Sequence, residues 1–251
     1  MTLSPPLTPP GELRAQIRAS GYAVLDRAGA QAALGLHDDV FGRWASFWSD
    51  LPADAHLRDG GRYRRRRHAS YVVEGAHVEP VAHRAHWQPL AYNALHGGIE
   101  RWFEPLSPAL ASDPELARLL AGLAQHAGAL RSAPRWFCEV HQFRIDTTDG
   151  IGRPTPEGAH RDGVDLVAVF LVARHNVKGG ETRVFDARGP QGVRFTLTEP
   201  GSLLLVDDEH VIHESTPIQP IDAAGLAWRD TLVVTLRRGG FLDPRSEPAS
   251  P

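Results

Sequence analysis

The second half of the chain consists of short apolar segments separated by turn residues, and this pattern constrains the fold most. Segments typical of strands lie at 136–145, 166–173, 182–185, 193–197, 202–206, 211–213 and 231–236. Turn signals separate them, among them Gly179-Gly180, Gly189-Pro190 and Pro200-Gly201. Many short, regularly punctuated strands are typical of a β-sandwich or a jelly roll. The sequence therefore predicts a mainly β core.

The first half has helical periodicity instead. Apolar residues spaced for one helix face predict helices over 11–19 and 33–51. A third helix is expected over 113–130, where Asp113 can cap the N-terminus and Pro114 can occupy the first turn. Short strands are predicted at 21–25 and near 70–73. The expected architecture is α+β, with an N-terminal helical layer packed on a double-stranded β-helix (jelly roll).

The length of 251 residues fits one domain with elaborations. Residues 1–10 carry four prolines and are predicted to be a flexible leader, and 246–251 a matching tail. Between them, 11–245 is predicted to be a single domain. Its mainly helical part covers 11–134 and its jelly-roll core covers 135–241.

Composition excludes several partners. The net charge of −3 gives no reason to expect a nucleic-acid partner, and no apolar run approaches the ~18 residues of a membrane span. The N-terminus lacks the features of a signal peptide, and Cys138 is the single cysteine, which suits a reducing compartment. Lys178 is the single lysine among 27 basic residues, a bias that fits a G+C-rich genome. The sequence predicts a bacterial cytoplasmic protein, and its oligomeric state is left open.

A histidine and a carboxylate lie two residues apart at His160 and Asp162, between Gly158 and Gly163. In an extended segment, residues i and i+2 face the same side, so both side chains can converge on one metal ion. The flanking glycines let the backbone approach closely. With a later histidine, the set has the composition of a facial triad, in which two imidazoles and one carboxylate bind Fe(II) and leave coordination positions open.

Two histidines compete to be the later ligand. His210 and His213 form an H-x-x-H pair after a buried apolar run. In a strand, positions three apart face opposite sides, so only one of them can face the metal. Spacing alone leaves the choice open.

Four blocks in order along the chain resemble a known family. They are 156–163 (PEGAHRDG), 176–182 (NVKGGET), 213–218 (HESTPI) and 229–232 (RDTL). Together they resemble the bacterial 2-oxoglutarate/Fe(II) dioxygenases that include L-isoleucine 4-hydroxylase and related free amino acid hydroxylases. The resemblance covers roughly 57–236, with weaker blocks at 141–144 (HQFR) and 93–98 (NALHGG).

This resemblance implies a ligand set and a reaction. In the family the distal histidine precedes a Thr-Pro-Ile turn, and His213 holds that position here. By resemblance, His160, Asp162 and His213 are the iron ligands and the catalytic centre. In related halogenases a small residue replaces the carboxylate, so Asp162 implies hydroxylation, with release of succinate and CO₂.

The cosubstrate 2-oxoglutarate needs a fixed cation for its distal carboxylate, which an arginine fork suits. Arg229 is the candidate, with Thr231 on the same strand face, and this pair resembles the Arg-x-Ser/Thr pair of many such enzymes. Arg237 and Arg238 compete, but solvated charges at a strand end explain them better.

The resemblance implies a free L-amino acid substrate, an aliphatic one, with O₂ and 2-oxoglutarate as cosubstrates. Trp136, Gln142 and Arg144 share one face of a predicted strand and are candidates to line the substrate pocket. The arginine-rich segment 62–67 is either an anion partner for the substrate or a solvated strand. The pair His83 and His86 is predicted to lie in a surface loop.

Two alternatives remain at this point. The same chemistry could act on a peptide, a carrier-bound amino acid or another metabolite, or the jelly roll could bind a metal or small molecule without catalysis. The sequence does not specify the substrate, the carbon attacked or the stereochemistry.

Overall fold

The computed structural model of the protein describes residues 3–37, 39–222 and 225–244. Its α-helices are α1 (Leu13–Ser20), α2 (Arg27–Leu34), α3 (Val40–Trp44), α4 (Pro108–Ala111) and α5 (Pro114–Leu130). The strands are β1 (Tyr22–Leu25), β2 (Arg64–Glu74), β3 (His77–Pro80), β4 (Trp136–Asp146), β5 (Leu166–His175), β6 (Val177–Gly179), β7 (Thr182–Asp186), β8 (Gly192–Phe195), β9 (Leu203–Asp207), β10 (Val211–Ser215), β11 (Ile218–Pro220) and β12 (Trp228–Arg237).

The strands form one large and two small antiparallel sheets. The large sheet has the order β1-β9-β5-β12-β4-β2-β3, and the small sheets are β10-β7-β8 and β11-β6. One apolar cluster joins Val167 and Leu204 of the large sheet to Val184, Phe195 and Val211 of the three-stranded sheet. The two sheets therefore pack face to face, which confirms the predicted jelly roll.

Helix α5 covers the other face of the large sheet. Asp113 caps it by accepting a hydrogen bond from the Glu115 backbone N–H at 2.9 Å, and Pro114 occupies the first turn, as the sequence predicts. Leucines at helical spacing, 116, 119, 120 and 123, are buried in one cluster with Cys138, Val140 and Phe170 of the sheet. The helical layer thus lies on the face of the sheet away from the small sheets. Within the described residues, no helix combines the length and the apolar character that a membrane span requires.

The predicted helix over 33–51 is wrong in its extent. α2 ends at Leu34, because Gly35 adopts a left-handed conformation (φ 65°) that terminates the helix. The chain then forms the short helix α3 and a 3-10 turn over Ala45–Trp48. Trp44 and Trp48 are nevertheless fully buried, as the apolar spacing indicated.

The strand expected near 70–73 is part of a longer strand, β2. β2 lies in the large sheet and pairs with β4 and β3. Together with β1 it shows that the N-terminal part supplies strands to the jelly roll as well as helices.

The predicted leader contacts strand β1 and the segment directly after β8. Residues 3–10 make ordered contacts, since the Thr8 backbone N–H donates to the Val24 carbonyl at 2.7 Å and the Thr196 N–H donates to the Leu3 carbonyl at 2.9 Å. Residues 3–10 therefore contact the domain through backbone hydrogen bonds. The predicted tail, 246–251, lies outside the described residues.

Candidate active site

A cavity lies between the large sheet and the smaller strands. Its wall on the large sheet is formed by alternate residues of three neighbouring strands, which face the same side because of the pleat. These are Arg64 and Arg66 of β2, Glu139, His141, Phe143 and Ile145 of β4, and Arg229, Thr231, Val233 and Thr235 of β12.

His160, Asp162 and His213 converge at this cavity. Nε2 of His160 lies 3.7 Å from Asp162 Oδ1, and Nε2 of His213 lies 3.7 Å from Asp162 Oδ2. The three ligand atoms all lie within 4.8 Å of one another. His213 is on β10, and its backbone exchanges hydrogen bonds of 3.1 and 3.0 Å with His160 in the loop between β4 and β5. One isolated β-bridge thus brings the two imidazoles together.

Both imidazoles can present a lone pair. His160 Nδ1 lies 3.0 Å from the Gly158 carbonyl, so Nδ1–H donates and Nε2 faces the other two residues. Burial and, to a smaller extent, the nearby His160 together lower the pKa of His213 to about 4, against the effect of Asp162. For His160, burial opposes the charged form, but Asp162 and Glu157 outweigh it and raise the pKa. The donor set therefore suits a divalent cation, which would displace the proton that these carboxylates favour.

The structure separates the two competing histidines. His210 points outward, is 44% exposed in its side chain and pairs through Nδ1 with Asp207 at 2.9 Å. His213 is buried beside Asp162. Only His213 of the pair lies at the cavity.

Asp208, which sequence reasoning missed, shapes the loop that carries Asp162. Its carboxylate accepts hydrogen bonds from the backbone N–H groups of Asp162 (3.0 Å), Gly163 (2.8 Å) and Val164 (3.1 Å). Gly163 is required here, because its φ is +78° and a Cβ would lie 2.4 Å from the Tyr92 ring. The only sequence signal was an acidic residue directly after a buried apolar strand.

Arg229 is a buried cation without a carboxylate partner. It is 3% exposed, its Nε has no hydrogen-bond partner, and no ion pair joins its guanidinium to another described residue. Burial and the nearby Arg174 lower its pKa to about 10, against the effect of Asp230, so it stays charged at neutral pH. Thr231 lies beside it on the same face and also lines the cavity. Because burying an unpaired charge is costly, this position suits the carboxylate of a ligand.

The two competing arginines are paired elsewhere. Arg238 contacts Asp165 at 2.8 Å, and Arg237 donates to the Gly240 carbonyl at 2.7 Å. Neither lines the cavity that holds the two histidines.

The residues predicted to line the substrate pocket on β4 do not lie there. Trp136, Gln142 and Arg144 do share one face, but it is the face toward the helical layer. Trp136 is in the large apolar core, Gln142 donates to the Phe47 carbonyl at 3.0 Å, and Arg144 pairs with Asp230 at 2.7 Å. The opposite face of β4, with Glu139, His141, Phe143 and Ile145, lines the cavity instead.

A second group of metal-capable side chains consists of His68, His86, Glu139 and His141, of which the last three line the same cavity. Guanidinium groups already contact it. Arg84 donates to Glu139 Oε1 at 2.9 Å, and Arg66 Nη2 donates to His141 Nδ1 at 2.8 Å. His86, predicted to be in a surface loop, is buried, and its Nδ1 lies 3.0 Å from Glu139 Oε2. We interpret this group as a buried hydrogen-bonded cluster, since adjacent cations oppose a metal ion.

Comparisons with known proteins agree with this geometry. The family model described as 2OG-Fe dioxygenase matches residues 45–235. This chain is 51% identical to a bsmA homolog from Methylobium petroleophilum, whose crystal structure it matches with a TM-score of 0.90. The match covers 96% of this chain and 98% of that chain. IDO from Bacillus thuringiensis is 16% identical with a TM-score of 0.74, covering 96% of this chain and 99% of that chain, and shows the fold alone.

A curated relative matches over a shorter region. The bifunctional enzyme flvA of Aspergillus flavus is 29% identical over 123 residues, which are 43% of this chain. The alignment spans 15% of the length of that relative.

Proposed function

The chain belongs to the 2OG-Fe dioxygenase family, and from this premise we propose that it hydroxylates a free, aliphatic L-amino acid. Enzymes of this family are oxidoreductases that use Fe(II), 2-oxoglutarate and O₂. The expected products are the hydroxylated amino acid, succinate and CO₂.

The proposed iron ligands are His160, Asp162 and His213. The observation that carries this assignment is the convergence of their ligand atoms within 4.8 Å, with the Nε2 atoms of both imidazoles facing the Asp162 carboxylate. When bound, Fe(II) and 2-oxoglutarate supply the oxidising power that inserts an oxygen atom from O₂ into a C–H bond. The protein positions the proposed ligands. Asp208 fixes the backbone of the Asp162 loop, and the Gly158 carbonyl fixes the tautomer of His160.

Arg229 is proposed to bind the distal carboxylate of 2-oxoglutarate, with Thr231 as a second donor. The support is its burial without a carboxylate partner in the cavity that His213 also lines. A paired, charge-assisted contact would both bind the cosubstrate and fix its orientation relative to the iron ligands.

A small, partly apolar substrate fits the remaining lining. Phe143, Ile145, Val164, Val169 and Val233 line the cavity together with charged groups. Such a mixture suits a compact zwitterion with an aliphatic side chain. We further propose a reducing, cytoplasmic location, supported by the buried free thiol of Cys138.

Two assays test the proposed function. Succinate formation should require both Fe(II) and 2-oxoglutarate, and a screen of free amino acids with mass detection should give a product heavier by one oxygen atom. Oxidation of a peptide or a carrier-bound amino acid, with no free amino acid accepted, would contradict the proposed substrate class. Absence of succinate under all conditions would contradict the enzymatic function.

A further inference from the structure

We propose that Arg64 and Arg101 bind the carboxylate of the substrate, that Glu157 binds its ammonium group, and that Gln88 connects this site to Asp162. The inference rests on the proposed function, because it assumes that the substrate is a free amino acid. It gives roles to a part of the cavity that the iron ligands and Arg229 leave unexplained.

Arg64 and Arg101 are buried cations with unused donors. They are 5% and 2% exposed, and both line the cavity. Nε of Arg64 donates to Asp54 at 2.7 Å, but its Nη2 is buried without a hydrogen-bond partner. Nη2 of Arg101 donates to the neutral amide oxygen of Gln88 at 2.7 Å, and its Nε is buried without a partner.

Positive charge exceeds negative charge in this region. A third arginine, Arg66, lies 3.9 Å from Asp54, the same carboxylate that pairs with Arg64. Arg66 itself is held between the rings of Phe103 and Phe143, at 3.7 and 4.3 Å from their centroids. It is therefore held by its own contacts, whereas Arg101 forms no ion pair within the described part of the chain. Buried cations with too few carboxylates favour an anionic ligand group.

This anion site is separate from Arg229. In the sheet register, Arg64 lies opposite Ile145, and Ile145 lies opposite Arg229 on the next strand. Two strand spacings place the backbones of the two arginines roughly 10 Å apart. The cavity thus has arginines on both sides of Ile145. Arg229 on one side is placed for the distal carboxylate of the cosubstrate, and Arg64 on the other side for the carboxylate of the substrate.

Glu157 supplies the complementary charge. Its side chain is 11% exposed, and its Oε1 lies 3.6 Å from Nε2 of His160. Its Oε2 is buried without a hydrogen-bond partner. A buried carboxylate oxygen at the same cavity suits an ammonium group, and it would hold that group close to the iron ligands.

Gln88 links the two sites. Its Nε2 donates to Asp162 Oδ1 at 3.0 Å, while its Oε1 accepts from Arg101 at 2.7 Å and from Asn93 at 3.2 Å. A carboxylate only accepts and a guanidinium only donates, so the amide has one orientation. Movement of Arg101 on binding a carboxylate would therefore be transmitted to the iron ligand, which makes Gln88 a positioning residue.

The test is a calorimetric titration, without O₂, of protein loaded with Fe(II) and 2-oxoglutarate. The probes are the amino acid found in the screen, its carboxamide and its deaminated acid. Arg101→Gln should weaken amino acid binding by about 10- to 100-fold and remove the preference over the carboxamide, with 2-oxoglutarate binding unchanged. Glu157→Gln should remove the preference over the deaminated acid. The control is Arg65→Gln, because Arg65 is 40% exposed in its side chain and pairs with Asp146; it should bind as the wild type.

Wild-type discrimination retained in Arg101→Gln, or weakened binding of 2-oxoglutarate alone, would overturn the assignment. If the wild type accepts no free amino acid, the proposed function fails, and isovalerate then tests the anion site by itself. Weaker isovalerate binding in Arg101→Gln would keep that site, and equal binding would overturn it.

The role of Gln88 has its own readout. Adding the amino acid to wild-type protein should shift the visible charge-transfer band of the complex with Fe(II) and 2-oxoglutarate. In Gln88→Leu the band should form but not shift on saturation with the amino acid. A wild-type shift in that variant would overturn the coupling.

Discussion

Two histidine-rich clusters lie at the same cavity, and they differ in what already contacts their polar atoms. In the first, the ligand atoms of His160, Asp162 and His213 lie within 4.8 Å of one another. In the second, His68 and His86 form hydrogen bonds with Glu139, and the His141 ring stacks on His68. Arg84 donates to Glu139, and Arg66 donates to His141. Residue types alone would make both clusters metal sites. The comparison shows that the hydrogen-bond partners and neighbouring charges distinguish them.

The two clusters also differ in how charge is balanced. Burial alone would raise the pKa of Glu139, but His86 and His68 lower it well below its usual value. The second cluster therefore holds a carboxylate whose oxygens already have hydrogen-bond partners. Asp162 accepts one side-chain hydrogen bond, from the neutral Gln88. A divalent cation would therefore gain most at the first cluster.

The largest expected effect separates the two competing histidines. His213→Ala should abolish 2-oxoglutarate-dependent succinate formation, because it removes one of the three proposed iron ligands. His210→Ala should keep wild-type turnover, since His210 points outward and contacts Asp207. Full turnover in His213→Ala would show that the first cluster is not the iron site.

The second cluster should control stability instead. Glu139→Gln leaves Arg84 without its buried carboxylate, and breaking a buried ion pair typically costs about 3–5 kcal/mol. Chemical denaturation should show a loss in the free energy of unfolding of this size. Glu74→Gln is a control, because Glu74 is at the exposed end of β2. An unchanged free energy of unfolding in Glu139→Gln would contradict the structural role.

Acid should destabilise the protein through the same cluster. Burial lowers the pKa of His86 to about 4, and that of His68 is also lowered. The unfolded chain therefore binds these protons first as the pH falls below about 6.5, and stability decreases until the folded pKa is reached. For His86 the loss is on the order of 3 kcal/mol. Denaturation at pH 7, 6, 5 and 4 checks this, and His86→Gln should show a shallower dependence; an identical slope would exclude His86 as a source.

The smallest expected effect is on the KM for 2-oxoglutarate, and it compares an arginine without an ion pair among the described residues, Arg229, with a paired one, Arg238. Arg229→Gln should raise the KM for 2-oxoglutarate by about 10- to 100-fold, as expected for loss of a charge-assisted contact. Arg238→Gln should leave that KM unchanged, because Arg238 pairs with Asp165. Steady-state kinetics with varied 2-oxoglutarate measures both, and an unchanged KM in Arg229→Gln would remove Arg229 from its proposed role.

The sequence predicted the fold and the local pattern better than the orientation of buried strands. Periodicity correctly placed Trp136, Gln142 and Arg144 on one face of β4. It could not tell which face lines the cavity, because β4 is covered on both sides and is buried at most positions. An alternating strand identifies an inner face only when the other face is exposed to solvent.

Contacts between segments that are distant along the chain could not be predicted from the sequence either. Within the run 62–67, Arg64 and Arg66 point inward while Arg65 is partly exposed, an alternation that follows once the strand is known to begin at Arg64. The roles of Gln88 and Asp208 depend on loops that meet at Asp162, and no periodic pattern encodes such a meeting. The block at 93–98, a weak part of the family resemblance, contains Asn93, which holds Gln88.

Iron stoichiometry, compared between the two clusters, tests the central claim most directly. Anaerobic titration should give one Fe(II) for each wild-type chain and each folded Glu139→Gln chain, and none for the double variant His160→Ala with His213→Ala. Circular dichroism should show that all three proteins are folded. One Fe(II) retained in the double histidine variant and lost in folded Glu139→Gln would place the iron at His68, His86, Glu139 and His141 and contradict the account.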